Sequence, residues 1–395
     1  MTNICMLAYT HYLSDPRVRR EAEALADRGY HVDFLCLRGE GEQSYQEVNG
    51  VHVIRLPQNR YRGRSLWAYV YGYSHFFVLS FLRLTWLQFR KGYALIQVHT
   101  MPDFMVFAAV MPKIMGSKIV LDIHDLMPEL YCTKFGLAED HPIIKIITLF
   151  ERLSTRFAHR VIAVHRPQSR LLVKHGIPHW KIQTIMNAVD DKIFRSDEKI
   201  RRPDKKANTF TLVYHGTLVK RYGVDVAIRA VRLAKEKIPR LRFLIYGEGN
   251  DLDELEALAE ELNLSNTVIF SRKFLPLEQI PPALAQADVG LVPNRDTGRD
   301  NVLPTKLLEY VTLGIPAIVS RTDTVEAYFD DTMVRFVRPG DEQQLTEAIL
   351  ELYYHPEKAR HIAQNAHRYN EQYGWTRQRA AYYSFIDSLL HDSPR

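Results

Sequence analysis

The sequence predicts an α/β protein made of two similar domains, each a parallel sheet covered by helices on both faces. Three observations carry this. Short apolar runs alternate with helical patterns through the first half of the chain. A polar, charged stretch at 195–209, with Pro203 inside it, then breaks the alternation and reads as a linker. The same alternation restarts at Phe210.

The elements follow in order. A first strand is expected over 3–9, and the absence of leading basic residues argues against a signal peptide there. Asp15 and Pro16 fit the N-cap and first position of a helix. Val18, Ala22 and Leu25 recur on it at helical spacing until Gly29 stops it. Strands are expected at 31–37 and 51–56. Residues 66–90 form a long helical region rich in Trp, Tyr and Phe. Arg83 and Arg90 lie inside it, and Arg60, Arg62, Arg64 and Lys91 flank it. Two readings stand: a core helix with snorkelling arginines, and an interfacial helix on anionic lipid. Strands at 94–98, 118–123 and 160–164 complete the first sheet. The second sheet takes strands at 210–214, 241–246, 267–270, 289–292, 317–319 and 334–337. Helices start near Val224 and run over 251–262. The domains are expected at 1–188 and 189–375, with a helix at 376–395 packing back on the first.

Size and composition bound the function. The 395 residues, 46% hydrophobic and 25% charged, suffice for two cores. Cys5, Cys36 and Cys132 have no metal spacing and point to a reducing compartment, the cytoplasm. No apolar run is long enough to span a membrane. A net charge of +6 suits a nucleotide, a polyanionic acceptor or a lipid surface. Nucleic acid is not expected, because zinc-finger spacing, an aromatic RNA platform and an Arg/Lys-loaded helix are all missing. Neither a dinucleotide fingerprint nor a P-loop occurs, and no cofactor is expected. His99 and His124 could ligate a metal with Asp125, but nothing fixes a further ligand, so no metal is expected.

Polar residues collect where strands end. His99, His124, Asp125 and Glu129 follow strands of the first domain. Gly216, Thr217, Lys220, Arg221 and Gly223, then Gly247, Glu248 and Gly249, then Asn294, Arg295 and Arg299 follow strands of the second. Ligands of such folds bind outside the carboxyl ends of strands, and a cleft between two such domains is the default active site. The run from Asn301 through Val302, Leu303, Pro304 and Thr305 to Lys306 opens a short helix that carries Glu309. Free N–H groups at its start suit a phosphate, and the carboxylate suits a sugar diol. The plain alternative is a surface helix with a Lys306–Glu309 ion pair.

These segments resemble the retaining glycosyltransferases of the two-domain GT-B fold, family 4, over nearly the whole chain. The likeness rests on 15–22 (Asp-Pro-Arg-Val-Arg-Arg-Glu-Ala), 122–129 (Asp-Ile-His-Asp-Leu-Met-Pro-Glu), 187–190 (Asn-Ala-Val-Asp) and 303–310 (Leu-Pro-Thr-Lys-Leu-Leu-Glu-Tyr). It implies two Rossmann-like domains facing across a cleft. It also implies a nucleotide-sugar donor, most often UDP-linked, and retention of anomeric configuration without a bound metal. The acceptor would be a saccharide, a lipid-linked sugar or a small molecule, in bacterial polysaccharide or glycolipid assembly at the inner face of the cytoplasmic membrane. His124, Asp125 and Lys306 would be catalytic. Gly216, Thr217, Lys220, Arg221, Gly247, Phe274, Asn294, Asn301, Val302, Leu303, Pro304, Thr305 and Glu309 would bind the donor. His11, Tyr12, Asp15, Arg17, His99 and Glu129 would face the acceptor.

The chain departs from the family at three places. Asn301 stands where a first carboxylate is usual, and it cannot carry its charge. Thr217 and Tyr222 stand where Arg and Lys are common, so Lys220, Arg221 or Lys306 would supply the cation for the leaving diphosphate. The Gly-rich first loop is replaced by 9–14. An inverting transferase or natural-product glycosyltransferase, a nucleotide-sugar epimerase using His124 or Asp125 as acid or base, and a non-catalytic partner subunit are the competing classes.

Overall fold

In the computed structural model, which describes residues 2–59, 61, 66–194, 209–296 and 302–391, the chain forms two compact units. One comprises 1–187 with 378–395, the other 188–377. The linker expected at 195–209 lies almost wholly outside the described residues, as do Asn301, Arg299 and the flanking Arg60, Arg62 and Arg64.

The first unit holds eight strands: β1 (Asn3–Ala8), β2 (His31–Leu37), β3 (Tyr45–Val48), β4 (Val51–Leu56), β5 (Leu95–His99), β6 (Lys118–Ile123), β7 (Arg160–Ala163) and β8 (Ile182–Thr184). Their order is β3-β4-β2-β1-β5-β6-β7-β8, all parallel except β3, which pairs antiparallel with β4. Strands add outward in both directions from the β1/β5 junction, so this is the switch point where the loops part. β3 and β8 are short edge strands that the sequence pattern missed. β3 is largely exposed and polar, so it lacks the apolar run that marks the central strands.

The Pro16–Asp27 helix starts as expected, with Asp15 at its N-cap accepting from the Arg17 N–H. It covers one sheet face together with the C-terminal helix Trp375–His391, whose Tyr382, Phe385, Ile386 and Leu389 are buried there. The Leu66–Lys91 helix lies on the other face. It buries Phe76, Leu84 and Leu87, and leaves Trp67, Tyr71, Leu82 and Phe89 exposed. One side is core, as the first reading expects, and the other is an exposed apolar surface. No helix among the described residues is long and apolar enough to cross a membrane.

The second unit holds β9 (Phe210–His215), β10 (Leu241–Tyr246), β11 (Val268–Phe270), β12 (Val289–Val292), β13 (Ala317–Ser320) and β14 (Arg335–Val337). Their order is β11-β10-β9-β12-β13-β14, all parallel, with the switch point at β9/β12. The helices Val224–Lys235 and Leu252–Glu261 pack Val226, Val231, Leu255 and Ala259 against this sheet. The Thr305–Thr312 helix connects β12 to β13 and buries Leu307, Leu308, Tyr310 and Val311.

Candidate active site

In the first unit the loops at the β1/β5 switch point enclose a small polar cavity. Asp15, Arg17, His99, His124 and Asp125 all line it, with Tyr9, Thr10, Tyr73 and Thr100. Its volume is about 50 Å³, room for a few water-sized groups. Arg17 grips Asp15 with two bonds, Nε to Oδ1 and Nη2 to Oδ2, each 2.9 Å. Burial alone would raise the Asp15 carboxyl, but the Arg17 guanidinium outweighs it and holds the group below the usual carboxylate range.

His99 ends β5 and His124 follows β6, and both turn onto Asp122. His99 Nδ1 lies 2.9 Å and His124 Nε2 3.3 Å from Asp122 Oδ2, and the two ring nitrogens are 3.1 Å apart. All three residues are buried. Burial pushes the His99 imidazole down. It would push Asp122 up, but His124 and His99 together hold that carboxyl below its ordinary range. Asp122 was missed as a site residue, because an Asp inside an apolar strand run reads as core. The same three residues are the one described group whose donor atoms converge as metal ligands would, so the residue completing the His pair is Asp122 and not Asp125. The His124 backbone is fixed as well: its N–H donates to Thr100 Oγ1 at 3.1 Å, and Gln168 Nε2 donates to the Ile123 and His124 carbonyls.

Three expected acceptor residues stand elsewhere. Tyr12 is fully buried, its ring 4.9 Å from Phe34, so it is a core residue and not a cavity wall. The His11 carbonyl accepts from the Ser14 N–H in the turn before the helix, outside the cavity. Glu129 is turned away from it, to His175 Nε2 at 3.2 Å, while His175 Nδ1 meets Glu151 at 2.7 Å. Those two carboxylates raise the His175 pKa to about 10.

In the second unit the expected donor residues gather at the end of β9. His215 closes the strand, and its Nε2 lies 2.7 Å from Glu309 Oε2 on the Thr305–Thr312 helix, close enough to pair but not aligned as a hydrogen bond. Lys306, one turn earlier, holds its Nζ 4.7 Å from the ring centres of both Tyr214 and Tyr222. Arg221 donates to Tyr222 Oη at 2.7 Å and stacks on that ring at 4.7 Å. Tyr222 thus stands between the two cations. Gly216 lies against Lys306: a Cβ there would sit 3.4 Å from Cε, and its φ of +126° disfavours other residues. Gly247 is packed so that a Cβ would meet the Gly216 carbonyl oxygen at 1.9 Å. The helix begins at Thr305 with no side-chain cap; the Leu307 N–H donates to the Pro304 carbonyl at 3.0 Å, and the positive end of the helix dipole lies at this start.

The remaining expected residues are spread around this cluster. Leu303 and Pro304 are buried before the helix, Val302 half-buried and Thr305 exposed. Asn294 is buried after β12, and the next residue's N–H donates to the Arg221 carbonyl at 2.9 Å. The Thr217 carbonyl accepts from Tyr214 Oη at 2.8 Å. Lys220 is exposed and lines a groove with Asp225 and Asp251, and Phe274 is exposed on the loop after β11. His215 and Tyr222 belong to the cluster, although the sequence reading did not name them as site residues.

A carboxylate, two cations and an uncapped helix start can bind a group carrying both a diol and phosphates. An imidazole pair on a buried carboxylate can hold or take a hydroxyl proton.

Comparison with known proteins agrees with the fold. The chain is a glycosyltransferase of the GT-B fold, related to several families of sugar-transferring enzymes. A model of the glycosyl transferase 4-like domain matches residues 14–188, and one of the glycosyl transferases group 1 matches 195–369. Among curated proteins, the chitobiosyldiphosphodolichol beta-mannosyltransferase of Debaryomyces hansenii is 22% identical over 78% of this chain and 69% of its own. Among solved structures, a sucrose-phosphate synthase of Thermosynechococcus elongatus is similar with a TM-score of 0.78 at 18% identity, over 100% of both chains. HepE of Anabaena in complex with UDP-glucose is similar with a TM-score of 0.73 at 16% identity, over 98% of this chain and 100% of that one.

Proposed function

We propose that the protein transfers a sugar, with retention of configuration, from a nucleotide-sugar donor to a saccharide or lipid-linked acceptor. The donor is a UDP-sugar. The observation that carries this is the cluster of Glu309, Lys306, Tyr222 and Arg221 at an uncapped helix start. Glu309 accepts from the ribose hydroxyls, and the helix N–H groups and Lys306 take the diphosphate. As the glycosidic bond breaks, charge grows on that diphosphate, and Lys306 with Arg221 stabilises it more than the ground state. Arg221 fits this role better than Lys220, since it shares Tyr222 with Lys306. The leaving phosphate assists attack from the same face, so the protein supplies no nucleophile. On the first unit, His124 takes up or orients the acceptor hydroxyl, with Asp15, Arg17 and Asp125 around it.

HepE, whose structure is that of a complex with UDP-glucose, supports the choice of donor. The Debaryomyces relative, named for a dolichol diphosphate acceptor, supports a lipid-linked one. That relative forms a β-mannoside, so product stereochemistry is the point at which retention is tested. Calorimetric titration with UDP and GDP, then a donor panel scored by nucleoside diphosphate release, tests the whole reading.

The same reading has the enzyme work in the cytoplasm at the inner membrane face. Three buried cysteines that form no disulfide fit that compartment. The Leu66–Lys91 helix contains no acidic residue, and Arg83 and Arg90 each stack on its Trp86 at 4.6 Å. The Pro142–Phe157 helix exposes Ile146, Leu149 and Leu153 beside Lys145, Arg152 and Arg156, and its single carboxylate, Glu151, is buried. Apolar faces carrying cations suit anionic lipid.

A further inference from the structure

The sheet face under the Pro16–Asp27 and C-terminal helices is an apolar layer of residues such as Leu95, Val120, Ile162 and Phe385. One line of polar side chains crosses it. Tyr382, on the C-terminal helix, donates its hydroxyl to Gln97 Oε1 at 2.6 Å. Gln97 Nε2 donates to Glu21 Oε2 at 2.7 Å and reaches Asp122 Oδ2 at 3.5 Å. The Glu21 carboxyl also acts on Asp122: burial first, and then the Asp122 charge, push it well above its ordinary range. Asp122 meets His99 and His124. The line ends at His124 Nδ1, which has no hydrogen-bond partner in the protein and belongs to a residue lining the cavity.

A buried carboxylate in an apolar layer destabilises the fold unless its neighbours satisfy it. Packing alone would place an aliphatic residue at 122, as it does at Val120 on the same face of β6. We infer that Asp122 is a positioning residue for His124, and that Gln97 and Tyr382 hold Asp122 in place, so that the C-terminal helix contributes to the transfer site. This rests on the reading of His124 as an acceptor-side residue. With Asp122 ionised, the tautomer that directs His124 Nε2–H at Oδ2 leaves Nδ1 as the lone-pair nitrogen, free to accept from a hydroxyl. The other charged or titratable groups facing this pair are Asp15, Arg17, Arg20 and Glu21 from the first helix and its cap, His99 from β5 and Asp125 after β6.

The test reads the imidazoles directly. Long-range proton–nitrogen NMR of ¹⁵N-labelled protein reports the tautomer of each ring, with His99→Gln and His124→Gln giving the assignments. In the wild type, His124 should be protonated at Nε2 and bare at Nδ1. Asp122→Asn should mix or invert that tautomer. Tyr382→Phe, which removes one hydroxyl from another helix, should shift the His124 ring-nitrogen resonances toward those of the mixed tautomer. In turnover, Tyr382→Phe should lower kcat and leave the donor KM unchanged. If Asp122→Asn does not fold, Tyr382→Phe and Gln97→Leu decide the matter on the same signals. Wild-type tautomer and ring-nitrogen resonances in the folded variants would overturn the inference. Because the spectra need no substrate, altered spectra in a protein that turns over no nucleotide sugar would uphold the positioning chain while removing the proposed reaction.

Discussion

Removing the Glu309 carboxylate should weaken nucleotide binding by about two orders of magnitude. Glu309 is only 8% exposed, and its Oε2 is already turned to His215. A ribose offers two hydroxyls, and Oε2 would be shared between one of them and His215. We therefore count one strong charge-assisted bond and one shared, together about 3 kcal/mol. That corresponds to roughly a 150-fold rise in Kd for UDP in Glu309→Ala. Glu309→Gln keeps the shape and loses the charge, and should fall between the two, roughly tenfold weaker than wild type. Calorimetry of free UDP reads both, and a melting curve for each variant separates lost contact from lost fold. An unchanged UDP affinity in folded Glu309→Ala would refute the reasoning, because no other carboxylate in the cluster offers the ribose an acceptor at the same helix.

Other expectations follow from the same geometry. Lys306→Ala should lower kcat about 100-fold, Arg221→Ala less, and Lys220→Ala hardly at all; full kcat in all three would move the cation elsewhere. The His175 imidazolium, raised to about 10 by Glu129 and Glu151, contributes stability that is complete below about pH 6.5 and is lost as pH rises through about 10. The wild-type melting temperature should therefore fall across that window more steeply than that of His175→Gln, and parallel curves would contradict the pairing. Vesicles rich in anionic phospholipid should sediment with the protein at low salt, and Trp67→Ala combined with Phe89→Ala should weaken this. Absence of binding at any ionic strength would leave both helices without that partner.

Much of the fold was legible because the central strands are apolar on both faces and end at polar loops. The runs at 31–37, 51–56, 118–123, 241–246 and 289–292 match the observed strands residue for residue. β3 and β8 were not legible, since short edge strands bury too little to show a period. The Leu66–Lys91 helix is apolar nearly all round, so periodicity could not tell its core side from its exposed one. At the candidate site, local spacing placed Lys306 and Glu309 on one helix and His124 at a strand end. It could not supply partners distant in sequence. His215 reaches Glu309 through the β9–helix packing, and Asp122 meets His99 because β5 and β6 pair in register at those two residues. Tyr382 joins Gln97 across 285 positions of sequence, and only the docking of the last helix brings them together.

The central claim is that this chain moves a sugar from a nucleotide donor held at the Thr305–Thr312 helix. The most direct measurement is proton NMR of purified protein with a panel of UDP-, GDP- and ADP-sugars and a saccharide or lipid-linked acceptor. It reads nucleotide release and the anomeric signal of the product together. The account predicts turnover of a UDP-sugar, a product with the donor's anomeric configuration, and loss of both signals in Glu309→Ala at donor concentrations that saturate the wild type. Turnover that is equal in wild type and Glu309→Ala, or a product of inverted configuration, would contradict it.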